Sequence, residues 1–407
     1  MREWRGCDEQ LIMPDPAAVL QLIGVEEITS LAAGLVVAPG RNPPGEEAAT
    51  VEVLAQACRL RGLEPIIDEV RPGRPNLRTV LAGGDGPGLL LLGHSDVVPP
   101  GDGWSVHPYG GLVRDGRLYG RGAADMKGGL AACLVALGAI KRSGVKLSGP
   151  VELAVTVDEE DHALGVRHYL DTGDRGDFLG CVVAEPTDLQ PIIAARGDAY
   201  LAITIHGRAA HSGHPDDGVN AVYGATRVID DLHRWHGELS RNAHPLAGPA
   251  TVSVGRVDGG TGPSIVPAEC TVIADRRLLP WESGPEVLDQ LRDRLDRLDL
   301  PADGFEVSAE LTLDMPGFET DPDSAVVAAM IAAAADAGGP SLPVGGWSAA
   351  CDGGFLARDA KLPVVVYGPG SVLQQAHRAD ESVPLDQLVT AARSYVLTIL
   401  RILGAAS

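Results

Sequence analysis

The chain has 407 residues, of which 45% are hydrophobic, 22% charged and only 4% aromatic, and its formal net charge is −22. That length suits two domains, and the apolar material is ample for buried cores built on Leu, Val, Ile and Ala. So acidic a surface repels phosphate backbones and anionic headgroups, so neither nucleic acid nor a membrane is an expected partner. Recognition of an anionic substrate must then rest on local Arg or backbone groups.

The six cysteines (Cys7, Cys58, Cys133, Cys181, Cys270 and Cys351) form no C-x-x-C pair and sit mostly in apolar runs. They read as reduced core thiols of a cytoplasmic protein. The start, MREWRGCDEQ, lacks the apolar stretch of a signal peptide. The longest nearly apolar run, Gly128–Ile140, reads as too short to span a bilayer.

In chain order, Glu46–Arg61 reads as a helix and Glu64–Val70 as a strand. Leu89–Leu92 is a continuous apolar run ending at Gly93-His94, as in strands buried on both faces. Met126–Arg142 reads as an apolar helix. Val151–Val157 is a strand ending at Asp158-Glu159-Glu160, and Cys181–Ala184 is another ending at Glu185-Pro186. Pro363–Tyr367 is a further strand, followed by Gly368-Pro369-Gly370. This alternation predicts a doubly wound α/β domain. Between these halves the pattern changes. Strands at Ala199–His206, Thr251–Val257, Cys270–Leu278 and Phe305–Leu311, with helices at Val219–Leu239 and Pro285–Leu298, follow the order β-α-β-β-α-β. That is a ferredoxin-like α+β unit inserted into the first domain. The expected division is 1–194 with 315–407 for the α/β domain, and 195–314 for the insertion.

Histidines and carboxylates gather where the predicted α/β strands end: His94 and Asp96, then Asp158 to Glu160, then Glu185. His377 lies beyond the Gly-Pro-Gly turn, and Asp125 opens a helix. In open α/β sheets the ligand crevice lies outside the carboxyl ends of the strands. So many carboxylates in one crevice repel one another unless cations sit among them. Two histidines with three carboxylates is a credible ligand set for a pair of Zn²⁺-like ions. The chain contains no H-E-x-x-H and no G-x-S-x-G, which removes two common hydrolase types.

These residues lie in stretches that resemble the M20 metallopeptidases: LLLLGHSDVVP (89–99), LYGRGAADMKGG (118–129), VTVDEE (155–160), VVAEPTD (182–188), GRAAHSGHPDDGVNA (207–221), ADRRLLP (274–280) and YGPGSVLQQAH (367–377). The resemblance implies a zinc-peptidase-like catalytic domain with an inserted lid and dimerisation domain, and two Zn²⁺ per chain, replaceable by Co²⁺ or Mn²⁺. It implies His94 and Glu185 on one ion, Glu160 and His377 on the other, and Asp125 bridging both. Glu159 would act as general base, and Asp96 would fix the His94 ring. The family also tends to have a cis peptide after the bridging Asp, here Asp125–Met126. His211 would reach the partner subunit's site in a homodimer and stabilise the oxyanion. Arg277 would pair with a substrate carboxylate, with Arg276 on the opposite face of its strand. Asn220 would lie near substrate, while Gly368 and Gly370 would let backbone approach the ligand.

Two stretches depart from the family pattern. Ser264 stands about where the family often has Asn, and WSAACDGG (347–354) follows no one subgroup. The implied activity is removal of an N-acyl group from a small N-acyl amino acid, of the acetylornithine deacetylase type. Succinyl-diaminopimelate desuccinylase, aminoacylase and dipeptidase or carboxypeptidase chemistry share the metal site and stay open. A non-catalytic binding protein on this fold is the remote rival.

Overall fold

The computed structural model describes residues 15–172 and 176–404. Cys7 and the N-terminal stretch read for a leader lie outside them. The described chain forms two compact units. One comprises the residues up to Pro191, Pro322–Pro343 and the chain from Val365 on, and the other Ile192–Asp321 with Val344–Val364. The segment Val344–Val364, expected with the α/β domain, thus belongs to the second unit. There Gly345–Trp347 pairs in parallel with Ile192–Ala195, a glycine-containing strand of three residues that has no period to read.

The first unit starts with helices α1 (Val25–Val37) and α2 (Ala48–Leu60), then strands β1 (Pro65–Arg71), β2 (Arg74–Leu81) and β3 (Gly88–His94). A tight turn at Ala123–Lys127 leads into helix α3 (Gly128–Ser143), followed by β4 (Val151–Thr156), α4 (Leu164–Asp171) and β5 (Phe178–Val183). The second unit holds β6 (Gly197–His206), α5 (Ala221–Leu239), β7 (Thr251–Gly259), β8 (Glu269–Leu278), α6 (Gly284–Arg297) and β9 (Glu306–Met315). The chain closes with α7 (Ala325–Asp336), β10 (Val364–Val366) and α8 (Leu385–Leu403).

In the first unit the strand order is β1-β2-β4-β3-β5-β10. β3 runs parallel to β4 and β5, whereas β2 is antiparallel to both β1 and β4. The sheet is therefore mixed. Every residue of β3 and β4 is buried, which requires cover on both faces and explains the unbroken apolar run of β3, while β4 buries Glu152 among its apolar residues. Strand β2 has no such run. Its Asn76 and Arg78 are polar yet buried, so a reading that equates buried with apolar passes over it.

Helix α3 is buried from Gly128 to Ile140. With its leading turn the helical stretch Ala123–Ser143 is long and apolar enough to cross a bilayer, and residues 123–140 of it are buried inside the protein. It is longer than expected because the turn runs directly into α3.

The second unit has the spatial strand order β7-β8-β6-β9, all antiparallel, as in a ferredoxin-like sheet. β8 alternates buried and part-exposed side chains along its length, the signature of a sheet covered on one face. Helices α5 and α6 supply that cover, with Val228, Leu232, Trp235, Val287 and Leu291 in the core. Helix α6 starts at the N-cap Ser283. Ser283 accepts from the Glu286 backbone N–H and donates its hydroxyl to the Glu286 carboxylate.

Gly129 is where α3 meets the end of β5. A Cβ there would overlap the Ala184 carbonyl oxygen, next to Glu185. Gly129→Ala should cost about 1–3 kcal/mol in urea unfolding, the usual range for overpacking. Gly34 in α1 has nothing within 4 Å of the equivalent position, so Gly34→Ala should raise stability by about 0.5–1 kcal/mol. Equal effects of the two substitutions would contradict this packing.

Candidate metal centre

Three parallel strands deliver the site. β3 ends at His94, β4 leads to Asp158-Glu159-Glu160, and β5 leads to Glu185, so their carboxyl ends share one edge of the sheet. Asp125 lies buried in the turn before α3, and His377 follows β10. The Asp125–Met126 peptide bond is cis.

The two carboxylate oxygens of Asp125 face different histidines. Oδ1 is 3.2 Å from His94 Nε2, and Oδ2 is 3.5 Å from His377 Nε2. Glu185 Oε1 lies 3.3 Å from His94 Nε2, and Glu160 Oε2 lies 2.9 Å from His377 Nε2. Glu159 Oε2 is 4.0 Å from His94 Nε2. Ligand atoms of His94, Asp125 and Glu160 lie within 4.8 Å of one another, as do those of His94, Glu159 and Glu185. The donors thus fall into two overlapping groups with Asp125 between the two histidines.

The electrostatics call for cations. Burial and then the Asp125 charge push Glu185 up to about 8. The same two causes, in the same order, raise Glu160. Burial also works to raise Asp125, but hydrogen bonds with His377 and His94 hold it below the usual carboxylate range. Three carboxylates this close and this buried do not all ionise on their own. Imidazole and carboxylate donors at these spacings fit divalent ions of the Zn²⁺ kind.

Asp96 acts through more than the His94 ring. The Nδ1 edge of His94 is 3.0 Å from the Asp96 carbonyl oxygen and 3.5 Å from its carboxylate. A carbonyl only accepts, so Nδ1 carries a proton, and Nε2, which here donates towards the Asp125 carboxylate, is the nitrogen that would give its lone pair to a cation. The Asp96 carboxylate accepts the backbone N–H groups of Glu159 and Glu160, at 3.2 and 3.1 Å, and the Asn42 amide at 2.9 Å. Asn42 also donates to Asp158, which pairs with Arg74 at 2.7 Å, and Arg74 pairs with buried Glu47. Asn42, Glu47 and Arg74 are supports that the sequence reading missed, and Asp158, read there only as one of the gathered carboxylates, is a support as well. They are distant from one another in sequence, and only the fold joins them.

Gly370 has φ +87°. A Cβ there would meet Ala124, beside Asp125, and one on Gly368 would meet the Ala184 and Glu185 carbonyls. The close approach at both glycines is to the chain itself, to Ala124 beside Asp125 and to the carbonyls of Ala184 and Glu185.

The remaining expected residues belong to the second unit. His211 is exposed, and its Nδ1 accepts from the Gly213 backbone N–H at 3.0 Å, so Nε2 is left as a donor. Ser264 is its neighbour, for the Ser212 N–H donates to the Ser264 carbonyl at 3.0 Å. Asn220 caps α5, its side chain accepting from the Val222 N–H. Arg277 forms a bidentate pair with Asp275, at 2.9 and 2.7 Å, and lies 3.1 Å from Asp198. Its guanidinium is thus already neutralised within the unit. Arg276, on the other face of β8, is buried, pairs with Glu282 at 2.6 Å and stacks on Trp235.

Residues 90–401 match the profile of peptidase family M20/M25/M40. The chain belongs to this family, a family of metal-dependent hydrolases. It is similar to the acetylornithine deacetylase of Aliivibrio fischeri, with 33% identity over 82% of this chain and 86% of the relative. It is also similar to the succinyl-diaminopimelate desuccinylase of Gluconacetobacter diazotrophicus, with 32% identity over 92% of this chain and 97% of the relative. Among solved structures, an M20 family metallo-carboxypeptidase from Sulfolobus solfataricus shares the fold. Its TM-score is 0.79 at 19% identity, covering 92% of this chain and 98% of that one.

Asp198 carries a pH prediction. Burial raises its carboxyl and Arg277 pulls it back, but with Asp275 adding to the rise it stands at about 7, against an ordinary 3.8. The folded state then binds this proton more tightly than the unfolded chain does. The resulting stability is full below about pH 4 and is lost as pH rises through about 7. Asp198→Asn should therefore gain thermal stability over the wild type as pH goes from 4 to 8, by about 2–4 °C for each kcal/mol recovered. A difference in Tm that does not change with pH would contradict this account.

Proposed function

We propose that the protein is a two-metal amidohydrolase that removes the N-acyl group from an N-acyl amino acid, in the manner of an acetylornithine deacetylase. The observation that carries this reading is Asp125, whose two oxygens face two histidines from segments distant in sequence. In this reading His94, Glu185 and Asp125 would hold one Zn²⁺, and Asp125, Glu160 and His377 would hold the other, with Co²⁺ or Mn²⁺ as substitutes. When bound, such ions polarise an amide carbonyl and lower the pKa of water.

The chain's own groups do the rest. Glu159 takes the proton from the attacking water and hands it to the leaving nitrogen, so the amide C–N bond breaks to give a carboxylate and an amine. Asp96 holds the backbone of Glu159 and the tautomer of His94. Gly370 lets the loop after β10 close on Ala124. His211, with Nε2 left as a donor, stabilises the oxyanion from a partner subunit of a homodimer formed through the inserted unit. Arg277 receives the substrate carboxylate by exchanging it for one of its internal partners, with Ser264 and Asn220 nearby in sequence pattern. The cysteines among the described residues are all buried, in keeping with a reducing, cytoplasmic setting.

Deacetylation comes first because a relative bearing that name reaches 33% identity. Desuccinylation stands beside it, supported by a relative at 32% that spans nearly its whole length. Amine release from a panel of N-acetylornithine, N-succinyl-diaminopimelate, other N-acetyl amino acids and dipeptides distinguishes them. The expected result is a preference for an N-acetyl amino acid. Turnover of dipeptides alone would replace deacylase by peptidase, and no turnover in metal-loaded protein would favour a binding role. Glu159→Gln should lower kcat by about 10²–10⁴-fold with both ions retained, and full turnover in that variant would remove Glu159 from the mechanism.

A further inference from the structure

Behind the metal ligands lies a buried ion pair that the proposed chemistry does not use. Arg121 and Glu381 are both almost fully buried, and Arg121 Nη1 donates to Glu381 Oε2 at 2.6 Å. The other carboxylate oxygen of Glu381 accepts the backbone N–H groups of Ala124 and Asp125, at 2.9 and 3.1 Å. The Glu381 carbonyl accepts from the Gly120 N–H at 2.9 Å. Arg121 also donates to the carbonyl of Arg378, beside His377, at 3.3 Å, and to the carbonyl of Pro100 at 3.0 Å. Its guanidinium stacks on Trp104, 5.3 Å from the ring centre.

The pair therefore ties together two segments distant in sequence. Arg121 lies four residues before Asp125, and Glu381 four residues after His377. His377 has φ +61°, off the regular backbone regions, and no strand of the large sheet contains it. His94 and Glu185, by contrast, stand at or just beyond the ends of β3 and β5. We infer that Arg121 and Glu381 are positioning residues that set the separation of Asp125 and His377, and so govern the affinity of the ion held by Asp125, Glu160 and His377 while leaving the ion at His94 and Glu185 little affected. This rests on the two-ion reading above. A buried ion pair suits the task, with both terminal nitrogens of Arg121 and both carboxylate oxygens of Glu381 hydrogen-bonded, because removing either partner leaves an uncompensated charge and frees both loops at once.

The test is titration of metal-free protein with Co²⁺ alone, with chelator competition to resolve the affinities of the two ions. Wild type, Glu381→Gln and Arg121→Lys are compared, and thermal unfolding of the metal-free forms identifies folded variants. Gln keeps an acceptor for the Ala124 and Asp125 N–H groups but loses the charge that pairs with Arg121. Lys keeps the charge but cannot reach Glu381 and both carbonyls in the same planar geometry. The expected result is one ion weakened by about 10–100-fold and the other by less than about threefold, in whichever variants fold. Wild-type affinity for both ions in a folded variant overturns the inference, as does equal weakening of both. If the wild type itself takes up fewer than two ions, the two-ion reading fails and this inference fails with it, an outcome distinct from the other two.

Discussion

Like charges are crowded into a place with little water to screen them. Asp125 and Glu185 are almost wholly buried, with Glu159 and Glu160 beside them, at the shared carboxyl ends of β3, β4 and β5. Isolated carboxylates in such a setting take up protons, and Glu185 stands at about 8 for that reason. Much of the surrounding polar structure follows from this constraint. Asp96 ties down the backbone that carries Glu159 and Glu160, and Arg74, Asn42 and Glu47 tie down Asp158 beside them. Arg121 and Glu381 do the same for Asp125. The supports are polar groups bonded to one another, and the net positive charge the crevice lacks is what divalent cations provide.

The sheet makes the crowding possible. Strands buried on both faces are rigid, and their parallel pairing sends successive carboxyl ends to one edge. Gly129, Gly368 and Gly370 then let helix and loop backbones approach that edge more closely than any side chain would allow. The site is assembled on rigid elements with its loops pinned from behind, the arrangement that holds metal ligands in place before a ligand arrives.

Much of this was legible in the sequence, and for identifiable reasons. The unbroken apolar run of β3 and the largely apolar β4 mark doubly buried strands, and the His and acidic residues that follow them stand out against such stretches. The β-α-β-β-α-β order of the second unit follows from the alternation in β8 and the leucine stripe of α6. What stayed hidden was polar and buried. Strand β2 carries Asn76 and Arg78 inside the protein. Asn76 accepts from Val157 N–H and donates to the Gly165 carbonyl, and no periodicity announces such a role. Arg121 and Glu381 likewise look like ordinary surface charges until the fold brings them together. The strand at Gly345–Trp347 was missed because three residues are too few to show a pattern. Arg277 illustrates the opposite case. Its motif points to a substrate carboxylate, but the sequence does not tell that Asp275 and Asp198 already occupy it.

The central claim is that two ions share Asp125. The direct measurement is the number of tightly held metal ions per chain after equilibration with Zn²⁺ and removal of free metal, in the wild type and in His377→Ala. The account predicts two ions in the wild type and one in the variant, with the remaining ion at His94, Asp125 and Glu185. A single ion in both, or two in both, would contradict it.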